Sequence, residues 1–500
     1  MSTTQDPSDD NGEDPAPLAS TTSQKAVFAE HEAALKWIDC LTGSSDGRSI
    51  EEMDSVLAEL RGIFDRYLEL PSLLDKYVET MVDKLATGAR SQMDDPSIIQ
   101  TATKFWSSPL PRQLSALYAL SKVRGRKRIQ NFLPHRVEDV HAILFILRGL
   151  DVLSRNENKA SLDFTTTGQP QLWESIYVLW NWMGILSFVP FKSSVVIDME
   201  RIHELVELAK AYLTEAGPTR ETASACLASW LSRPDLEQTH LEEFQQWSNQ
   251  VLREYLENPT KEVILTMGVL QTLVTIVKSS TADRVTLLRF VSPLRSTMIS
   301  ISDANPNNLL LRKYMVKWWT RTGALCMPPR VAAWRYHRGR RSLKENLLRT
   351  RNNSTTISNG AKSENSENKP KLPEEYELFL VPDEVEDALG EIISGLTDVS
   401  TTVRWSAAKG LGRVTERLPA ICSDDVLDAI LELFDDREKD NDWHGACLAM
   451  AELARRGLLL PHRLGEVVPK IVEAIHVSIW TSVASSLLNV ERISHGCTSV

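Results

Sequence analysis

The sequence predicts an all-α protein, a HEAT or armadillo-type α-solenoid of stacked helical hairpins, and three observations predict it. Two Trp-x-x-Ala strings, Trp405 to Ala408 and Trp443 to Ala446, each stand in an amphipathic helix pattern that follows another such pattern. These paired patterns recur at roughly 40 residues, the period expected of such repeats. Strand signals are scarce elsewhere, and apolar residues return at helical spacing through most of the 500 residues. A fold of this kind offers other proteins an extended surface and rarely performs covalent chemistry.

Taken in order, residues 1–25 place Asp6, Asp9, Asp10, Glu13 and Asp14 among Ser, Thr and Pro. The segment has neither the basic nor the apolar region of a signal peptide and is expected to be a disordered acidic tail. Residues 26–350 are expected to form an N-terminal helical-repeat block. Its most apolar run, Ile176 to Phe191, is uncharged but contains Asn181 and Pro190. It falls short of the about 20 residues that a bilayer span needs, so a buried helix is expected, with Trp173, Trp180 and Trp182 supplying packing area.

Residues 351–373 hold almost no apolar side chain to offset the entropy of ordering and read as a disordered linker or loop. Residues 374–476 form a second repeat block. Val385, Leu389, Ile392, Ile393 and Leu396 share one face, and Val403, Ala407, Leu411, Val414 and Leu418 another. Pro419 ends that helix, and Ser423 stands as a candidate N-cap with Asp424 and Asp425 in the first turn. The helix beginning at Trp443 finishes on Arg455 and Arg456, with Gly457 available as its cap. Leu464, Val467, Val468, Ile471, Val472 and Ile475 begin a further stripe, followed by a C-terminal segment, 477–500.

Composition narrows the function classes. A net charge of -11 argues against sequence-independent binding to nucleic acid or anionic lipid. Six dispersed cysteines, with no close C-x-x-C pair, suit thiols packed in a reducing compartment. No G-x-x-x-x-G-K-[ST] string occurs, and Gly410-x-Gly412 lies inside an amphipathic helix without a preceding strand, so close helix packing is the expected role of Gly410. His444 and Cys447 have ligand-like spacing but no second pair, and His203-Glu204 lacks the second histidine of a zinc-protease helix. No catalytic residue, cofactor or metal is therefore expected. Trp405, Ala408, Gly410, Trp443, Ala446 and Gly457 are expected to be structural.

Basic clusters are the candidate binding features. Arg335, Arg338, Arg340, Arg341 and Lys344 crowd together with Trp334 and Tyr336. Arg404, Lys409 and Arg413 fall on the polar side of the helix opposite the 403/407/411 stripe. Lys122, Arg124, Arg126, Lys127 and Arg128 form a shorter cluster whose plainer reading is a solvated face.

Several long strings carry a resemblance. VRWSAAKGLGRVTERLP, from Val403 to Pro419, and DWHGACLAMAELARRGLLLP, from Asp442 to Pro461, resemble the tubulin-folding cofactor D family. KVRGRKRIQNFLPHRVEDV from Lys122, WESIYVLWNWMGILSFVPF from Trp173, ASWLSRPDL from Ala228 and PRVAAWRYHRGRRSL from Pro329 match in family order. The likeness extends over about residues 26 to 476; from Val477 the sequence departs from the family pattern, and family chains continue for several hundred residues.

The resemblance implies a chaperone scaffold that binds β-tubulin and assists assembly and disassembly of the αβ-tubulin heterodimer. It further implies tubulin-folding cofactors C and E and an Arf-like small GTPase as partners, and GTPase activation only within their complex. A cytoplasmic location at the microtubule cytoskeleton is implied too, and such an acidic, non-enzymatic chain is expected to have no nucleic-acid partner and no membrane span. The alternative is an importin-like or vesicle-adaptor solenoid that binds protein cargo; a regular ladder of Trp and Asn along inner helices would mark it, and none is evident.

Overall fold

The computed structural model describes residues 27–43, 49–156, 168–279, 281–304, 306–328, 381–435 and 440–476. Every regular element among the described residues is helical, and the fold is an all-α solenoid of the HEAT/armadillo kind. The expected acidic tail, the 351–373 linker and the 477–500 segment lie outside the described residues. The chain divides into two compact units, Met1–Leu186 and Ser187–Val500. The boundary falls after Leu186, inside the 26–350 block, rather than at 351–373.

In the first unit, hairpins pair His31–Thr42 with Ile50–Asp65, Asp75–Met93 with Leu110–Arg124, and Glu138–Asn156 with Leu172–Leu186. The sequence makes each helix half-apolar and leaves its neighbours to cover it. Ile50–Asp65 opens on a capping box, Ser49 with Glu52, and buries Met53, Leu57, Leu60, Ile63 and Phe64 at intervals of one helical turn. Leu172–Leu186 is buried on nearly all sides: Trp180 and Trp182 are fully covered, and the Trp182 indole donates to the Pro134 carbonyl at 2.9 Å. Its length and outer residues differ from expectation. The helix stops at Leu186, Phe188 and Phe191 are exposed, and Trp173 sits edge-on to Tyr118 at the surface. Among the described residues no helix is long and apolar enough to cross a membrane.

In the second unit, Pro218–Leu231, Val263–Lys278, Leu309–Cys326, Thr401–Thr415 and Asp440–Arg456 stack in sequence, each packed on the next. Met199–Tyr212, Glu242–Glu257, Arg295–Asp303, Asp383–Ser394 and Ala420–Glu432 run beside them as hairpin partners. Leu309–Cys326 contacts both Asp383–Ser394 and Thr401–Thr415, so helices on either side of 351–373 belong to one packed body. Val403, Ala407, Leu411, Val414 and Leu418 are all buried. In Asp383–Ser394 the covered positions are Val385, Ala388 and Ile392, with Leu389 and Ile393 only half covered.

Three further positions depart from expectation or sharpen it. Ser423 is no N-cap: the preceding helix already ends at Thr415, a turn over 416–419 follows, the next helix starts at Ala420 directly after Pro419, and Ser423 lies buried inside it. Asp440–Arg456 ends with Gly457 in the left-handed region, where the Gly457 amide reaches the Ala454 carbonyl and the Leu458 amide the Leu453 carbonyl. That paired closure satisfies carbonyls the helix end leaves open. Along 464–476 only Val467 is covered, while Leu464, Val468, Val472 and Ile475 are exposed.

A recurring arginine ties helix starts to the turns before them. Arg112 donates to the Trp106 and Ser108 carbonyls at 2.6 and 3.0 Å, and Arg312 to those of Pro306 and Asn307 at 3.0 and 2.8 Å. Arg404 does the same to Asp398 and Val399 at 2.6 and 3.1 Å. Each also reaches sideways: Arg112 to Asp54 at 2.8 Å, Arg312 to Asp398 at 2.6 Å, Arg404 to Asn441 at 2.7 Å. A planar guanidinium with five donors can hold two carbonyls and a neighbouring hairpin at once.

Candidate protein-interaction surface

Thr401–Thr415 carries the candidate surface because its two sides have different fates. The inner side is pressed between Leu309–Cys326 and Asp440–Arg456. Glycine makes this approach possible: a Cβ at Gly410 would come within 2.1 Å of the Thr320 hydroxyl oxygen. An equivalent approach on the neighbouring helix is closer still, where a Cβ at Gly445 would lie 1.9 Å from the Leu396 carbonyl oxygen. Ala408 and Ala446 are buried, as is Trp443, whose ring packs edge-on against Phe434 at 5.7 Å.

The outer side presents a short ridge. Trp405 is 46% exposed, and the Lys409 ammonium lies 3.5 Å from its ring centroid. Arg413, half-buried, follows one further turn along. The packing position expected for Trp405 is therefore corrected, and the reason is angular: two residues beyond Val403 on a helix is about 200° around, away from the buried stripe. Beneath the ridge, Arg404 is only 6% exposed. It is not the surface cation expected from its polar neighbours, because the loop carbonyls, Asn441 and Thr401 consume its donors internally.

Arg404 also fixes the state of His444. Its Nε donates to His444 Nδ1 at 3.1 Å, so that ring nitrogen is a lone-pair acceptor. Desolvation by the surrounding fold, and then the Arg404 charge, push the exposed imidazole below its ordinary value of 6.5. Burial pushes the Cys447 thiol up. The pair is thus engaged in packing and in the arginine network.

Of the remaining basic residues, Arg335, Arg338, Arg340, Arg341 and Lys344 lie outside the described residues. The 122–128 cluster is largely absorbed by its own unit: Lys122 meets Asp65 at 2.8 Å, Arg124 meets Asp75 through two nitrogens, and Arg128 is 3.7 Å from Asp75. The Arg124 hydrogen bonds hold the Asp75 carboxyl below the usual carboxylate range. Sequence reading missed the role of Arg312 and Arg112 and the tight approach at Gly445. An arginine at the third or fourth position of a helix was the visible signal for the first; a glycine inside the helical pattern, Gly445, was the signal for the second.

Two regions match models of one family: residues 64–252 match the tubulin-specific chaperone D-like ARM repeat, and residues 310–490 its second ARM-repeat region, running past Val477. Tubulin-specific chaperone D of Dictyostelium discoideum is 25% identical over 528 aligned positions, covering 86% of this chain and 35% of that protein. Tubulin-folding cofactor D of Schizosaccharomyces pombe is 23% identical over 464 positions, covering 87% of this chain and 35% of the relative. The chain thus spans about a third of the length of these relatives. Among solved structures, the crystal structure of Kap121p bound to Pho4p aligns with 92% of this chain and 53% of that one, at 11% identity and a TM-score of 0.23, too loose a superposition to carry an argument. The two family matches together cover well over half of the chain, which belongs to the tubulin-specific chaperone D-like family of armadillo-repeat proteins.

Proposed function

We propose that the chain is a non-enzymatic scaffold in tubulin folding. It binds β-tubulin and takes part in assembly and disassembly of the αβ heterodimer, in the cytoplasm and at the microtubule cytoskeleton. Tubulin-folding cofactors C and E and an Arf-like small GTPase join it, and any stimulation of GTP hydrolysis acts on a partner's nucleotide within that complex. Family membership and the names of the two relatives support the tubulin reading.

The observation that carries it is the Trp405, Lys409 and Arg413 ridge. An indole at the surface with a cation on its face, as Trp405 with Lys409, is an effective anchor for an acidic partner: tryptophan and arginine dominate the energetics of protein interfaces, and complementary charge speeds encounter. Arg335, Arg338, Arg340, Arg341 and Lys344 add positive charge to the same chain for the same purpose.

Pull-down and affinity measurement with purified β-tubulin test the reading. Trp405→Ala, altering a ring already 46% exposed, is expected to leave the unfolding midpoint nearly unchanged. Capture should weaken by about 30-fold, the equivalent of a hot spot of about 2 kcal/mol. Lys409→Glu with Arg413→Glu should weaken capture further and flatten its salt dependence. Capture by the variants equal to wild type removes the ridge from the interface, and a folded wild-type chain that takes neither β-tubulin nor the small GTPase refutes the function.

A further inference from the structure

The second unit contains a histidine whose surroundings do not account for it. His240 lies in a π-helical turn, Glu237–Leu241, that leads into Glu242–Glu257. It is only 7% exposed, and neither Nδ1 nor Nε2 has a hydrogen-bond partner. Buried polar atoms are nearly always paired, and an imidazole with both nitrogens unpaired is the exception that asks for a missing partner. The Glu243 carboxylate is 3.5 Å from Nδ1, beyond hydrogen-bond length.

A second imidazole faces the same point. His203, from the helix Met199–Tyr212, has its ring centroid 6.1 Å from that of His240. One ligand atom from each of His203, His240 and Glu243 can be chosen so that all lie within 4.8 Å of one another. Bonds of about 2.0–2.1 Å to a tetrahedral ion bring ligands to roughly 3.4 Å apart. His203 and Glu243 are exposed, so side-chain rotation alone can close the difference around the fixed His240. His240 is the fourth residue of that π-helical turn, a geometry frequent at functional sites.

We propose that His203, His240 and Glu243 bind one zinc-type divalent ion, with water completing the coordination. Two imidazoles and one carboxylate suit zinc and disfavour the all-oxygen preference of magnesium or calcium. His203-Glu204 lacks a second histidine on its own helix; the fold supplies it from the next hairpin. The ion joins Met199–Tyr212 to Glu242–Glu257, two helices already linked where Lys210 lies 4.8 Å from the Trp247 ring centroid. A ligand that binds only the folded form stabilises it, so the ion acts as an exchangeable staple between neighbouring repeats, independent of the tubulin ridge.

The test uses the full chain, stripped with a chelator and titrated with zinc chloride, read by calorimetry and by amide hydrogen exchange over 199–212 and 237–257. One equivalent of zinc should bind with added protection at 237–241, and magnesium chloride should give none. His203→Ala and Glu243→Gln change exposed groups and leave the fold intact; each should weaken that zinc binding at least tenfold and abolish the protection. Zinc that binds wild type and the double variant with equal affinity, bound by other histidines or cysteines, overturns the proposal, as does the absence of zinc-dependent protection in wild type.

Discussion

Gly445 gives the sharpest test of how closely the repeats stack. Replacing it with alanine adds a single methyl, yet its carbon would stand 1.9 Å from the Leu396 carbonyl oxygen and 2.8 Å from the carbonyl carbon. Both obstacles are backbone, so no side-chain rotation relieves them. Reaching an ordinary contact of about 3.2 Å or more requires Asp440–Arg456 to retreat from the 395–397 turn by over about 1 Å, at the upper end of the 1–3 kcal/mol typical of an overpacked core. Alanine's better helix propensity returns about 1 kcal/mol, leaving a net loss of about 2 kcal/mol. Gly390 supplies the control, because it is helical with nothing within 4 Å of its added Cβ. Gly390→Ala should gain about 0.5–1 kcal/mol from the same chemical change. Urea denaturation followed by the helical signal at 222 nm reports the global effect, and hydrogen exchange over 440–456 reports the local one. A Gly445→Ala chain with a midpoint equal to that of Gly390→Ala, and unaltered exchange over 440–456, would refute the close approach.

Two other perturbations probe the arginine network. Arg312→Ala strands the Asp398 carboxylate, whose side chain is only 10% exposed, and is expected to cost about 3–5 kcal/mol in unfolding free energy; a loss below about 1 kcal/mol would show that Asp398 is served by its remaining bonds alone. His444 predicts a pH dependence. Because its folded pKa is depressed, the unfolded chain takes up the proton first as pH falls below about 6.5, so stability declines from there and levels off once the folded value is passed. Melting curves between pH 7.5 and 5.5 should show this decline in wild type and a shallower one in His444→Gln; identical slopes would remove His444 as its source.

How much of this was legible in the letters depended on the range of the interaction involved. Amphipathic stripes are set within one helix, so the 403/407/411/414/418 face is buried as spaced. The close approach at Gly410 could be read as packing because a glycine in a helix is conspicuous. The relations between elements were not legible. Arg404 looks like one more cation on a polar face until the fold places the Asp398 and Val399 carbonyls, Asn441 and His444 around it. His203 lacks a partner on its own helix, and its neighbour His240 arrives from another hairpin.

The two Trp-x-x-Ala strings show why local likeness misleads in a stacked fold. Arg312, Arg404 and Trp443 each occupy the fourth position of their helices, Leu309–Cys326, Thr401–Thr415 and Asp440–Arg456. Trp405 occupies the fifth. One residue is about 100° of rotation, enough to carry an indole from the seam, where Trp443 packs on Phe434, to the surface, where Trp405 stands beneath Lys409. In the Thr401–Thr415 helix the fourth position is given to the arginine that binds the preceding turn, so its tryptophan is displaced outward. The structural demand of the stack on Arg404 and the availability of Trp405 to a partner are thus two consequences of one register.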